Sequence, residues 1–169
     1  FIGRWIIKKF KNQYDIIALS RKEVSNNQDK NIRWQKVDLY SITSTEKALE
    51  GCDVAIYLVH SMQPSSRLNQ SKFEDTDLLL ADNFSRAAEK NKLKQIIYVG
   101  GILPKDKIKI SKHLLSRYEV EKTLSSRSTP LTSIGAGIII GPGGSSFKII
   151  TNLVKNLPVM MCPLWTKSI

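Results

Sequence analysis

The sequence contains very few cysteines, which limits the chemistry open to its side chains. Only Cys52 and Cys162 occur, far apart in the chain and at no spacing typical of metal ligands. We therefore expect no metal site and two chemically inert packing cysteines. No secretory segment is recognisable either, so a reducing cytoplasm is the expected location.

Long hydrophobic runs are also missing from the sequence. No apolar stretch approaches the roughly 20 residues that a membrane-spanning helix requires, so we expect no membrane span. Hydrophobic residues nevertheless make up 41% of the 169 residues. This fraction and length predict one folded domain with a sizeable core, and exclude a disordered chain.

Acidic residues are scarce relative to basic ones. The chain has 26 lysines and arginines against 15 aspartates and glutamates, a formal net charge of +11. Such a charge permits an anionic partner, for example nucleic acid, a membrane surface or a phosphorylated ligand. The lysines are spread over predicted helix ends and loops with few aromatic residues among them. This pattern favours a solvated surface, with a nucleic-acid interface as the alternative.

Short apolar runs alternate with segments of helical periodicity along the whole chain. Because most of the runs are continuously apolar, they are typical of a parallel sheet covered on both faces. We therefore predict an α/β fold with a doubly wound parallel sheet. The predicted strands are 14–21, 33–39, 54–60, 95–101 and 131–141, and the predicted helices are 3–11, 43–50, 70–91, 111–124 and 146–156.

Two local signals refine the second predicted helix. Thr43 followed by Glu46 fits a capping box at its start, and Gly51 is a typical residue for its end. In doubly wound folds the ligand lies beyond the carboxyl ends of the strands. The residues at these ends are Ser20, Arg21, Asp38, Val59, His60, Ser61, Gly100, Gly101 and Gly141.

The opening stretch FIGRWII resembles the end of the TGATGFIG loop of extended or atypical short-chain dehydrogenases/reductases. In that family the loop lets the backbone approach a pyrophosphate at a helix N-terminus. The resemblance implies Rossmann-type topology, with Gly3 as the third glycine of the loop. It also implies a nucleotide-binding domain over residues 1–150 and a substrate-side segment over 151–169. We expect a chain truncated at both ends, with the first strand and two further glycines upstream of Phe1.

The resemblance also assigns cofactor-binding residues. Ile2 and Gly3 would approach the pyrophosphate, while Arg21, with Ser20 beside it, would bind a 2′-phosphate, which favours NADP over NAD. Asp38 and Leu39 would contact the adenine, Val59 and His60 the adenosine, and Gly100 and Arg117 the nicotinamide end. Simpler roles stay open: Arg21 as a solvated charge, Asp38 as a turn residue and His60 as a structural histidine.

The stretch SKHLLSRYEVEKTL (111–124) resembles the family's catalytic helix, but the family's tyrosine and lysine are replaced. Alignment on Glu121 places His113 at the tyrosine position and Arg117 at the lysine position, and a glycine where the family has serine. His113 can act as an acid or base, or can merely line the pocket. Arg117 stays protonated and can bind a ribose or phosphate oxygen. A shifted pair, Tyr118 with Lys122, is the less favoured alignment.

Together these features predict an NAD(P)-binding protein, NADP-preferring, of the atypical short-chain dehydrogenase/reductase type. The resemblance implies an oxidoreductase or epimerase-like activity on a small molecule or nucleotide sugar through a non-standard site. The alternative is a catalytically silent NADP-binding sensor or assembly factor. A basic nucleic-acid-binding protein is the least favoured hypothesis, and the sequence leaves the oligomeric state open.

Overall fold

The computed structural model describes residues 1–24, 29–60, 71–103 and 111–156, with the backbone alone for 71–74 and 145–147. Ser61, Cys162 and the predicted substrate-side segment beyond Asn156 lie outside the described residues. The chain divides into two compact units, one of Ile2–Ala136 and a smaller one of Phe1 with Gly137–Ile169. None of the described helices is long and apolar enough to cross a membrane.

Helices and strands alternate through the larger unit, as the sequence predicts. The helices are α1 (Ile2–Phe10), α2 (Ile42–Ala48), α3 (Ser71–Lys90) and α4 (Lys112–Leu124), and the strands are β1 (Ile16–Ser20), β2 (Ile32–Lys36), β3 (Val54–Tyr57), β4 (Gln95–Gly101) and β5 (Leu131–Ala136). The last strand is shorter than its apolar pattern predicts, because it ends at Ala136 instead of Gly141.

All described strand pairs are parallel, which confirms the predicted α/β class. Strand β1 pairs with β2, with Ile16 opposite Ile32. Strand β4 lies between β3 and β5, with Ile96 opposite both Ala55 and Leu131. The described strands thus form a two-stranded and a three-stranded sheet. Parallel neighbours need crossover connections, and helices α3 and α4 supply them between β3, β4 and β5.

The core lies where α3 and α4 pack on one face of the three-stranded sheet. Tyr57 from β3 contacts Phe84 of α3 edge to face, with ring centroids 4.9 Å apart. Ile96 and Leu124 are fully buried beside them. Full burial of side chains of this size stabilises the fold by about 1.5–3 kcal/mol each, so this face fixes the relative positions of β3, β4, α3 and α4.

Helix α2 begins at Ile42, one residue before Thr43, so the prediction of Thr43 as its N-cap is wrong. Ser41 is the N-cap, with extended backbone (φ −91°, ψ 113°) and a side chain that accepts a hydrogen bond from the Ser44 amide. Thr43 lies inside the first turn, and its hydroxyl is 3.0 Å from the Ser41 hydroxyl. Gly51 has φ +73° in the turn after the helix, where a glycine is favoured.

The smaller unit contains a glycine-rich turn and α5 (Ser145–Asn156). The Gly144 amide donates to the Gly141 carbonyl at 3.0 Å, and Gly143 has φ +87°. The predicted GPGG turn and the helix that follows it are therefore present.

Candidate functional site

The predicted cofactor residues follow the carboxyl ends of the strands in the larger unit. The start of α1 lies near the end of β3, since a Cβ atom on Gly3 would sit 3.5 Å from the Leu58 side chain. Arg21 directly follows β1, and Val59 and His60 come shortly after β3. The fold therefore places a glycine-containing helix N-terminus at the strand edge where a dinucleotide phosphate binds in doubly wound sheets.

The residues at the end of β1 present a free cationic side chain. The Ser20 hydroxyl accepts a hydrogen bond from the Lys22 amide at 3.2 Å and so stabilises the turn. The Arg21 side chain is exposed. In the described part of the chain, no carboxylate lies within ion-pair distance of its guanidinium. Its five N–H donors are therefore available to an anionic ligand.

Asp38 follows β2 in a loop that is held from both sides. Its carboxylate accepts a hydrogen bond from the Tyr40 amide at 3.0 Å, which makes an Asx turn. The buried Asn83 of α3 donates to the carbonyls of Leu39 at 2.9 Å and Tyr40 at 3.0 Å. Asp38 is thus a turn residue, as its simpler interpretation holds, and the residue is exposed.

Helix α4 brings the two predicted catalytic side chains into contact. Arg117 donates from Nε to Nε2 of His113 at 3.4 Å, and its other end donates to the Val99 carbonyl of β4 at 3.4 Å. The spacing of four residues puts both side chains on one face of the helix. Since Nε2 of His113 accepts this bond, the proton of its neutral imidazole lies on Nδ1.

The charges around His113 favour its neutral form. Partial burial lowers its pKa from the ordinary value, and the positive charge of Arg117 and the imidazole of His60 lower the pKa further. The Asp77 carboxylate acts in the opposite direction. These effects favour the neutral imidazole of His113, whose Nε2 accepts the hydrogen bond from Arg117.

A second histidine reaches the same place from the end of β3. The His60 and His113 rings are 5.2 Å apart at their centroids. Nδ1 of His60 lies 3.5 Å from a carboxylate oxygen of Asp77 in α3. Nε2 of His60 is buried and has no hydrogen-bond partner among the described residues. Three elements thus meet at one cluster, formed by His60, Asp77, His113 and Arg117, which we call the histidine cluster.

Two residues of this region are absent from the sequence-based site. Asp77 is 7% exposed, and its position in α3 falls on the same stripe as the buried Leu80 and Phe84. A carboxylate on an apolar stripe is costly unless it has partners, and that is the signal that could have identified it. Tyr98 is also buried, and its hydroxyl donates to the Arg117 carbonyl at 3.3 Å. Burial raises the pKa of its phenol.

The two glycines that end β4 leave little room for a side chain. A Cβ atom on Gly101 would lie 2.6 Å from the Leu114 side chain, and one on Gly100 would lie 3.0 Å from the Tyr98 ring. The Cβ on Gly100 would also be 3.5 Å from the Glu121 carboxylate. The packing of α4 on β4 therefore disfavours a serine at either position.

Tyr118 and Lys122, the pair of the less favoured alignment, contact each other. The Lys122 ammonium lies 5.4 Å from the centroid of the Tyr118 ring. Successive helical residues are about 100° apart, so Tyr118 projects away from the face that Arg117 turns towards β4. Among the described residues, no group of three or more His, Cys, Asp or Glu side chains has a geometry suited to a metal ion.

The parallel sheets, the glycine helix start and the strand-end residues define a dinucleotide-binding α/β protein. The sequence model of the NAD(P)H-binding family matches residues 1–128, and the chain belongs to this family. The predicted relationship to the atypical short-chain dehydrogenases/reductases is confirmed.

One curated relative is the auxiliary protein GraX of Staphylococcus aureus (strain NCTC 8325 / PS 47). It is 28% identical over 102 residues, which are 60% of this chain and 33% of GraX. The chain thus spans about a third of the length of this curated relative.

Solved structures share the fold at low sequence identity. The oxidoreductase ylbE from Lactococcus lactis has a TM-score of 0.68 and 21% identity, over 85% of this chain and 68% of that one. The Bordetella bronchiseptica enzyme WbmG, solved in complex with NAD, has a TM-score of 0.72 and 13% identity, over 92% of this chain and 56% of that one. At these identities the comparisons show the fold alone.

Proposed function

We propose that this protein binds NADP in preference to NAD, with the 2′-phosphate on Arg21. The observation that carries the proposal is the exposed guanidinium directly after β1, which has no carboxylate partner in the described part of the chain. An acidic residue at this position would repel a phosphate, whereas the arginine fork matches phosphate geometry. Ser20 contributes by holding the turn that presents Arg21.

The rest of the cofactor would extend along the strand ends. Ile2 and Gly3 at the start of α1 would face the pyrophosphate, and Asp38 and Leu39 the adenine. Val59 would lie against the adenosine.

The nicotinamide end of the cofactor would lie towards β4 and α4. Gly100 is buried beside α4, and a Cβ atom there would lie 3.0 Å from the Tyr98 ring. Arg117 is anchored to the Val99 carbonyl and presents its remaining donors to a ribose or phosphate oxygen. His60 and His113 stand beside it. When bound, the nicotinamide cofactor supplies hydride-transfer chemistry.

The proposal is tested by titrating the purified full-length protein with NADPH and NADH. A charge-assisted contact contributes about 1.5–3 kcal/mol, so Arg21→Glu is expected to weaken NADPH binding about 10- to 150-fold or more. NADH binding should change far less. Lys22→Glu is the matched control, since it makes the same charge change one residue further along the turn. Equal losses in the two variants, or equal affinity of the wild type for both nucleotides, would refute the NADP preference.

The activity proposed for this site is an oxidoreductase or epimerase-like reaction on a small molecule or nucleotide sugar. It is supported by the fold shared with the oxidoreductase ylbE and the enzyme WbmG, and by His113, an imidazole that can act as an acid or base at the predicted tyrosine position. Turnover of NADPH with candidate carbonyl compounds or nucleotide sugars, lost in His113→Ala but not in Lys112→Ala, would support it. Identical turnover in both variants would exclude a catalytic role for His113.

The second candidate is a catalytically silent, NADP-binding sensor or assembly factor. Two observations favour it: packing at Gly100 and Gly101 disfavours the serine of active family members, and the curated relative GraX is described as an auxiliary protein. This function predicts tight NADPH binding that Arg21→Glu abolishes, together with no turnover. Turnover that depends on His113 would exclude it.

A further inference from the structure

The strongest unexplained feature of the molecule is a buried imidazole nitrogen beside a carboxylate. Nε2 of His60 is buried without a partner among the described residues, and Nδ1 of the same ring faces Asp77 at 3.5 Å. Leaving a buried polar atom without a hydrogen bond costs about 1–3 kcal/mol. Such an atom calls for an explanation, and a catalytic role or a bound partner is one.

We propose that Asp77 orients His60 so that its Nε2 is a proton acceptor for the hydroxyl group of a bound ligand, with the His113 ring beside it. In this arrangement Asp77 is a positioning residue and His60 takes the role that the tyrosine has elsewhere in the family. The proposal rests on the proposed nucleotide-binding function, because the same strand end would hold both ligands.

The carboxylate decides which nitrogen of His60 carries the proton. An ionised carboxylate can only accept hydrogen bonds, so the nitrogen facing Asp77 must be the protonated one. In this proposal Nδ1 of His60 carries the proton and faces Asp77 across an ion-pair distance of 3.5 Å, and the lone pair of Nε2 is left to receive a proton. This is the logic by which a carboxylate fixes the tautomer of a catalytic histidine.

The surroundings of Asp77 suit this role. Its side chain is 10% exposed, and it is close enough to Tyr57 and Tyr98 to raise the pKa of both phenols. Its charge also opposes the fall in the pKa of His113. One largely buried carboxylate on α3 thus acts on the aromatic groups that β3, β4 and α4 bring to this point.

The proton transfer balances without any further reactant. The O–H bond of the ligand breaks, its electron pair stays on the oxygen, and the proton forms an N–H bond at Nε2 of His60. The resulting imidazolium is neutralised by the carboxylate of Asp77 across the 3.5 Å contact. Partial burial of His113, with the positive charge of Arg117, lowers its pKa and so disfavours a second positive charge beside His60.

The test uses the fact that the sequence contains two histidines only. In full-length protein labelled with ¹⁵N-histidine, variants His60→Gln and His113→Gln assign the signals. Ligand-free wild type is expected to show His60 with a protonated Nδ1 and an unprotonated Nε2. Asp77→Ala should shift His60 towards the opposite tautomer and should lower the pKa of His113 further. Asp75→Ala, an exposed carboxylate on the same helix, is the matched control and should change neither.

The wild-type spectrum decides the proposal even if Asp77→Ala does not fold. A protonated Nε2 on His60 in the ligand-free protein overturns it, as does an unchanged tautomer in a folded Asp77→Ala protein. This readout needs no cofactor, so it is independent of the NADPH titration with Arg21→Glu. If neither nucleotide binds, the proposed function is refuted, but the conclusion on the His60 tautomer is unaffected.

Adding two ligands in sequence to the labelled protein identifies the source of the hydroxyl. The ¹⁵N signal of His60 Nε2 is followed first with NADP⁺ alone and then with NADP⁺ and UDP-glucose. A shift with NADP⁺ alone assigns the hydroxyl to the cofactor ribose, and a shift only after UDP-glucose assigns it to a sugar substrate. No shift in either step overturns the assignment of Nε2 as the acceptor for a ligand hydroxyl.

Discussion

Replacing Asn83 with alanine is expected to loosen the loop that carries Asp38 and to destabilise the protein. Asn83 is 6% exposed and its amide donates two hydrogen bonds, to the carbonyls of Leu39 and Tyr40, at 2.9 and 3.0 Å. These bonds tie α3 to the loop after β2 across more than forty residues of sequence. No other hydrogen bond from a side chain of α3 to that loop is present among the described residues.

The size of the effect follows from these two bonds. Each hydrogen bond contributes about 0.5–1.5 kcal/mol net, so their loss costs about 1–3 kcal/mol. Alanine has a higher helix propensity than asparagine, so the substitution also stabilises the helix by at most about 0.7 kcal/mol. Asn152→Ala in α5 provides the control, because Asn152 is exposed and its replacement changes only the propensity. The difference in unfolding free energy between the two variants therefore isolates the two bonds.

Two assays check this reasoning. Denaturant unfolding should place Asn83→Ala about 1–3 kcal/mol below Asn152→Ala, which for a protein of this size is a difference of several degrees in Tm. NADPH titration should show weaker binding in Asn83→Ala alone, because the loop presents Asp38 to the adenine in the proposed site. An Asn83→Ala protein as stable as the control would refute the anchoring role.

Three further outcomes are expected. Arg117→Met should raise the pKa of His113 in an NMR titration, because it removes a positive charge that lowers this pKa; an unchanged or lower pKa would contradict the contact. Leu124→Ala empties a fully buried position and should cost about 2–5 kcal/mol in denaturant unfolding, whereas a loss within the error of the measurement would show that the core collapses around it. The Ser128 hydroxyl is the first cause of the lowered pKa of Glu89, so Ser128→Ala should raise that pKa. The lowered pKa of Glu89 stabilises the folded protein at pH values above the ordinary 4.5, and this stabilisation is lost as the pH falls through the folded-state pKa. The free energies of unfolding of the wild type and Ser128→Ala should therefore differ most at neutral pH and least in acid.

The order of helices and strands was predictable because the spacing of apolar residues in each segment is typical of either a helix or a buried strand. Strand β4 matches its apolar run from Gln95 to Gly101, and α4 begins one residue after the predicted start. The errors occur where a pattern has two possible ends. Ser41 and Thr43 both resemble an N-cap, and the apolar run of β5 continues to Gly141 although its pairing with β4 ends at Ala136.

The candidate site was predictable only in part, for a physical reason. The contact of His113 with Arg117 follows from a spacing of four residues on one helix, which a sequence displays directly. The approach of His60 to Asp77 depends on how α3 packs on the end of β3, and no local spacing encodes it. Only the position of Asp77 on the apolar stripe of α3 marked it as a residue that needed a partner.

The packing explains why proton chemistry at this strand end would rest on imidazoles. Burial raises the pKa of the Tyr57 and Tyr98 phenols, so neither serves as a base at neutral pH. Arg117 keeps its proton throughout, because a guanidinium does not titrate in proteins. An imidazole titrates near neutrality, and the cluster holds two of them in contact, one beside a carboxylate and one beside a guanidinium. The two rings thus have neighbours of opposite charge, a carboxylate beside His60 and a guanidinium beside His113.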